Sequence, residues 1–231
     1  MNIAESIQAV RGRIEAACLR AGRDPREVRL MGVSKFHGAE EVRLAREAGL
    51  DLFGESRVQE AGGKFPALKA AFPSLELHLI GSLQRNKAKA AAELFDCVQS
   101  VDRDELIVEL AKRAAASARP LDVLLELHTG EESKAGYPDA ESLFRAAEVA
   151  LSYPSLRLRG LMTMAPFTDD ERPIRSSFRA LRAARDALVR RFPEADWSVL
   201  SMGMSNDFEI AVEEGATLVR VGTAIFGRAS P

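Results

Sequence analysis

Eight short apolar, β-branched runs recur along this chain, and seven are followed by a stretch rich in alanine, glutamate and arginine. The runs fall at 28–34, 52–54, 76–80, 97–99, 121–127, 157–162, 197–200 and 218–221. The helical stretches fall at 39–48, from 56 onward, and at 83–94, 104–118, 139–151, 171–191 and 207–213. Strands alternating with helices at this period predict a parallel sheet, because parallel neighbours need a crossover connection. Eight of them predict closure into a single α/β domain over residues 1–231, a (β/α)8 TIM-type barrel. A doubly wound open sheet would use about five to seven strands and place a glycine-rich phosphate loop after the first. Lys35-Phe36-His37-Gly38 is not such a loop. The helix missing after the eighth run has a candidate at the other end, where Ile3, Ile7, Val10, Ile14 and Ala17 recur at helical spacing. Asp102 or Asp104 is expected to cap the helix at 104–118.

Composition excludes several function classes. A formal net charge of −2 offers no general attraction to nucleic acid or anionic membrane. Cys18 and Cys97 lack metal-ligand or redox-motif spacing and read as reduced packing residues. His78 and His128 lie in different strands without adjacent ligands, so no metal site is expected. Glu40-Glu41 and Glu131-Glu132 read as solvated charges rather than a catalytic pair. The first residues lack the apolar core of a signal peptide, and no segment approaches a membrane span. A cytoplasmic protein is expected.

Only seven of the 32 basic residues are lysines, and Lys35 closes the apolar run Leu30-Met31-Gly32-Val33-Ser34. An amine at the mouth of a buried strand is a candidate for Schiff-base chemistry with an aldehyde, although such a lysine can also snorkel to solvent. Strands seven and eight end in Ser201-Met202-Gly203-Met204-Ser205-Asn206-Asp207 and Arg220-Val221-Gly222-Thr223. Barrels commonly hold phosphate on the loops after these two strands. Closure brings strand one beside strand eight, so Lys35 and Arg220 are expected to share one mouth. A ligand with an anion at one end and an aldehyde at the other fits. Pyridoxal 5′-phosphate (PLP) is one such molecule, and a phosphosugar held by an aldolase-type lysine is another.

A run of ordered motifs narrows this further: Val33-Ser34-Lys35, Phe53-Gly54-Glu55 with Val58-Gln59-Glu60, and His78-Leu79-Ile80-Gly81 with Leu83-Gln84 and Asn86-Lys87. Ser100-Val101-Asp102, Glu132-Ser133-Lys134-Ala135-Gly136 and Gly160-Leu161-Met162-Thr163-Met164 follow, then Leu200-Ser201-Met202-Gly203-Met204-Ser205 with Asp207, and Val219-Arg220-Val221-Gly222. Over nearly its whole length the chain resembles the pyridoxal phosphate homeostasis proteins, alanine-racemase-like barrels that lack the racemase's second domain. The resemblance implies that Lys35 carries PLP as an internal aldimine. It implies that Ser201, Gly203, Gly222 and Thr223 hold the phosphate, that Arg220 neighbours the pyridine nitrogen, and that Met162 lines the pocket. Ser56 and Ser82 stand where Asn and His are usual, and Phe36-His37-Gly38 where a Thr and a Pro are usual. Ser56 is retained as a cofactor contact, though it is shorter than Asn and lacks the amide.

A permanently cationic Arg220 beside the ring nitrogen would weaken the ring as an electron sink. A two-base racemase also needs a second base opposite the lysine, typically a tyrosine from an added domain. The chain ends at Pro231, soon after the eighth run, and Tyr137 and Tyr153 are its only tyrosines. Tyr137 could reach the mouth but is expected to pack locally. Lys87 and Lys134 follow strands three and five, as solvated charges or a second anion site. The expectation is therefore a PLP carrier with no catalytic residue, a monomer that buffers PLP or delivers it to PLP-dependent apo-enzymes. A low-activity racemase or other PLP enzyme is the alternative, and a cofactor-free aldolase stands third.

Overall fold

All eight runs are strands, and they close. The computed structural model describes residues 2–117, 119–130 and 135–228. Its strands are β1 Arg29–Val33, β2 Leu52–Glu55, β3 Glu76–Leu79, β4 Cys97–Val101, β5 Leu121–Glu126, β6 Leu156–Met162, β7 Val199–Ser201 and β8 Leu218–Val221. Each pairs in parallel with the next, and β1 pairs with β8 through Arg29↔Leu218 to Gly32↔Val221, which leaves no sheet edge. The helices are α1 Ile3–Arg20, α2 Ala39–Glu47, α3 Val58–Ala71, α4 Ala88–Leu94, α5 Asp104–Ala114, α6 Ala140–Leu151, α7 Glu171–Arg191, α8 Phe208–Glu213 and α9 Thr223–Phe226.

The N-terminal helix forms as the periodicity predicts. Asn2 and Glu5 close a capping box at its start, and Ile7, Val10, Ile14 and Ala17 are buried. Three readings need correction. A single helical turn, α9, does follow β8, too short to show a periodic pattern. The helix expected from 83 opens instead as a 3-10 turn, Arg85–Lys87, before α4. Neither Asp102 nor Asp104 caps α5: the cap position is Arg103, which pairs with Asp102, while Asp104 is the first helical residue and accepts the Tyr137 hydroxyl at 2.9 Å. Ala118, placed in that helix from sequence, lies outside the described residues, as do Glu131, Glu132, Ser133 and Lys134.

The main core lies between the strands and the surrounding helices, where Phe53, Phe65, Phe95, Phe178 and Phe208 are fully buried. Strand alternation turns a second set of residues inward. Met31, Leu52 and Leu218 form one inner cluster, and Cys97, Leu124 and Met162 another. Between them the barrel interior is polar: His78, Gln99, Glu126, Ser201 and Arg220 are all buried. Both cysteines are free and buried. Among the described residues no helix is long and apolar enough to cross a membrane.

Candidate functional site

Lys35 lies just past the end of β1, in a turn closed by the His37 N–H donating to the Ser34 carbonyl at 3.1 Å. It is exposed at the strand mouth, as a lysine that reaches solvent from a strand end would be. Phe36, next in the turn, has φ 68°, a left-handed conformation that disfavours a side chain by roughly 1–2 kcal/mol. The Phe36 N–H donates to Glu60 Oε1 at 2.6 Å, which helps hold that conformation. Phe36 is itself 58% exposed, with Lys35 Nζ 5.9 Å and Arg57 Cζ 5.7 Å from its ring centre.

Beneath this turn sits a residue that sequence reading missed. Lys64, from α3, is 9% exposed and donates to the carbonyls of Ser34 at 2.8 Å and His37 at 2.7 Å. The same ammonium lies 2.8 Å from Glu55 Oε1 and 3.3 Å from Glu60 Oε1. Glu55 is fully buried at the end of β2 and also accepts the Ser34 hydroxyl at 2.6 Å. Burial pushes the Glu55 carboxyl up from the usual glutamate range, against the pull of Lys64 and Ser34. One buried cation thus ties both sides of the Lys35 turn to β2 and α3. The available signal was the four-residue spacing of Glu60 and Lys64, which normally marks a solvated helix pair.

Lys35 faces a cavity of about 360 Å³ at the C-terminal ends of the strands. Ser56, Arg220, Gly222 and Thr223 also line it, so the structure brings these sequence-predicted residues together with the lysine. Lys35 and Arg220 contribute two cations to its wall and Asp207 one carboxylate. Burial pushes the Arg220 guanidinium down to about 10, which still leaves it cationic at neutral pH. On the β7 and β8 side, the N–H groups of Gly222 and Ala224 converge on the Ser205 hydroxyl oxygen at 3.3 and 3.5 Å. Donors converging on an oxygen at a cavity wall match what a phosphate requires. Ser56 sits where Gly81 passes close to it: a Cβ on Gly81 would come within 2.3 Å of the Ser56 carbonyl oxygen.

Three predicted contacts do not line the cavity. Ser201 is fully buried, its hydroxyl donating to Gln99 Oε1 at 2.6 Å and accepting from Arg220 Nη1 at 2.7 Å, so it lies below the arginine rather than on the phosphate side. Gly203 is a packing glycine: φ is 90°, and a Cβ there would meet Ala211 Cβ at 2.5 Å. Met162 packs inside the barrel with Cys97 and Leu124. The missed lining residues include Met164, Phe167, Ser205 and Asn206. Tyr137 is buried with its hydroxyl on Asp104, and that burial pushes its phenol up. Neither it nor Lys87 lines the cavity. His37 is half-buried, stacked on Phe226 at 5.2 Å.

Glu126, at the end of β5, is 3% exposed, and burial with the nearby Asp102 charge raises it to about 7 despite Arg220. A group whose folded pKa lies above the ordinary 4.5 stabilises the fold below that value, and the contribution is lost as pH rises through 7. Between pH 5 and 8 this should remove on the order of 3 kcal/mol. Glu126→Gln should flatten that part of the stability profile, measured by denaturant unfolding at both pH values. An unchanged profile would mean that Glu126 ionises there without penalty.

Comparison with known proteins agrees with this geometry. Residues 6–230 match the family described as alanine racemase, N-terminal domain. The pyridoxal phosphate homeostasis protein of Aquifex aeolicus is 42% identical over 227 residues, covering 98% of each chain. The structure of PipY from Synechococcus elongatus with PLP bound is 36% identical, with a TM-score of 0.84, covering 97% of this chain and all of PipY. A Clostridium difficile alanine racemase, 13% identical with a TM-score of 0.75, covers 98% of this chain but 56% of its own and shares the fold alone. The chain belongs to the alanine racemase N-terminal-domain family and, within it, to the pyridoxal phosphate homeostasis proteins.

Proposed function

We propose that this protein binds PLP with Lys35 as its covalent anchor, and that it buffers or delivers the cofactor rather than transforming a substrate. The observation that carries this reading is one cavity lined by an accessible primary amine, a buried guanidinium and converging N–H donors on the β7 and β8 loops. Bound PLP supplies an aldehyde that condenses with an amine and a ring able to store electrons. Lys35 provides the amine. Gly222, Thr223 and Ser205 would take the phosphate, with Gly203 packed behind that loop and Ser201 holding Arg220 from below. Arg220 would face the ring nitrogen and keep it unprotonated, which restrains electron storage. Met162 would shape the barrel floor, and Ser56 would offer a hydroxyl at the cavity edge.

One feature favours carrying over catalysis. A two-base reaction of the racemase kind needs an acid–base group opposite the lysine, typically a tyrosine. Tyr137 directs its hydroxyl to Asp104, and Tyr153 is partly buried against the main core. PLP binding itself is supported by PipY, whose structure holds PLP and which matches this chain along nearly its full length. The same reading makes the protein a cytoplasmic monomer that supplies PLP-dependent apo-enzymes. Of its exposed large hydrophobic residues, Leu19, Leu44, Val108, Leu151 and Val189 lie on five different helices, while Phe36 adjoins Lys35 and Phe167 lines the cavity. Incubating the PLP-loaded protein with amino acids in deuterated water tests the carrier assignment. No exchange of the α-hydrogen above the rate with free PLP is expected, and exchange at an enzymatic rate would make it a racemase or related PLP enzyme.

A further inference from the structure

Arg220 is 3% exposed, yet its two direct side-chain partners are neutral: Nη1 donates to Ser201 Oγ and Nη2 to the Thr163 carbonyl, both at 2.7 Å. A buried cation needs compensation. The nearby Asp207 and Glu126 carboxylates supply part of it through space, and the hydrogen bonds run downward from the guanidinium. The Ser201 hydroxyl donates to Gln99 Oε1 at 2.6 Å. Gln99 Nε2 lies 2.7 Å from His78 Nδ1, and His78 Nε2 lies 2.7 Å from Glu76 Oε1. Glu76 Oε2 in turn accepts from Arg29 Nη2 at 2.6 Å. Ser201 and Gln99 are fully buried and His78 is 5% exposed. The series runs from the cavity at the C-terminal ends of the strands to the opposite mouth of the barrel.

With a single ring proton on His78, its direction is fixed by its two ends. A guanidinium can only donate, and a carboxylate can only accept. Ser201 must therefore accept from Arg220 and pass its own proton to the Gln99 carbonyl. Gln99 must donate its amide N–H to His78 Nδ1, which leaves the His78 proton on Nε2, pointing at Glu76. Although burial raises it, the Glu76 carboxyl is held down by Arg29 as well as by His78, and the Arg29 pairing keeps this acceptor end ionised when His78 is neutral. All four bonds are polarised in one sense between a cation and an anion, an arrangement in which each strengthens the next.

We infer that Gln99 and His78 are positioning residues for Arg220, and that this column couples the N-terminal mouth of the barrel to the cofactor end. The inference rests on the PLP reading for what Arg220 faces. Its lower end opens into a cavity of about 480 Å³, where Arg29, Glu76, Cys97, Asp122, Arg157 and Arg159 surround His78. A second proton on His78 Nδ1 would turn that nitrogen into a donor. The Gln99 amide would then have to invert, presenting its carbonyl to His78 and its NH2 to Ser201. Ser201 would accept from both sides and its own proton would lose its acceptor. The hydrogen-bond state of Arg220 and the proton state of His78 are therefore linked, and linkage acts both ways.

Ring-nitrogen NMR of the 15N-histidine-labelled protein tests this directly. The chain has three histidines, so a His78→Asn spectrum assigns the signal. The unmodified protein should show His78 with a protonated Nε2 and a bare Nδ1, the tautomer that the column's direction requires. Adding PLP should move the His78 signals as the PLP absorption band forms. In Gln99→Leu the band should still form, with its pH dependence displaced, while the PLP-induced shift at His78 is lost. A protonated Nδ1 in the unmodified protein overturns the column, as do His78 signals indifferent to a band that has formed. If no band forms, the PLP reading fails, and the His78 tautomer alone decides whether the column has the stated direction.

Discussion

Lys64→Met should destabilise the protein by about 3–5 kcal/mol, the range expected when one member of a buried ion pair is removed. The variant leaves Glu55 fully buried and Glu60 partly buried without their ammonium partner, and takes the donor from the Ser34 and His37 carbonyls. Methionine matches the length of the lysine stem, so the penalty reports charge and hydrogen bonding more than a void. Denaturant unfolding measures it. Adding Glu55→Gln should recover part of the loss, because much of the penalty is the stranded carboxylate. PLP affinity should fall as well, roughly tenfold or more, since the turn that presents Lys35 loses its anchor. A destabilisation below 1 kcal/mol would show that the clamp contributes little.

Lys35→Ala should have the opposite profile. Its side chain is exposed and outside the core, so stability should change by only about 0.5 kcal/mol. Binding should change greatly. Without the amine no covalent link forms, and PLP affinity should drop roughly 100-fold or more, about 2.7 kcal/mol. Titration with PLP followed by absorbance reads both effects, as the near-visible band should disappear and the binding isotherm weaken. Together the two variants separate the group that reacts from the group that holds it in place.

Much of the fold was legible because periodicity speaks directly to which face is buried. Strand β8 and helix α7 match the sequence expectation to the residue. The shared mouth of Lys35 and Arg220 followed from barrel closure alone, and both line one cavity. What could not be read was which way individual polar side chains turn. Ser201 and Ser205 fall in one small-residue stretch of sequence, yet the first ends β7 and points into the barrel while the second lies in the following loop at the cavity wall. That difference depends on strand register, Met162↔Ser201 and Ser201↔Leu218, which local pattern does not encode. Gln99 and His78 likewise read as ordinary strand polars until register stacked them beneath Arg220. Lys64 was hidden for a different reason. A helical Glu–Lys pair four residues apart is usually a surface feature, and only the turn packed over it makes it a buried clamp.

The central claim is that Lys35, among seven lysines, is where the cofactor is held. The most direct measurement is to mix the protein with PLP, reduce with borohydride so that any carbonyl–amine link becomes a stable secondary amine, and locate the added mass by peptide mass spectrometry. One pyridoxyl phosphate per chain on the peptide containing Lys35, absent from Lys35→Ala, is the predicted result. A chain that gains no mass, or gains it on another lysine while Lys35 stays free, would contradict it.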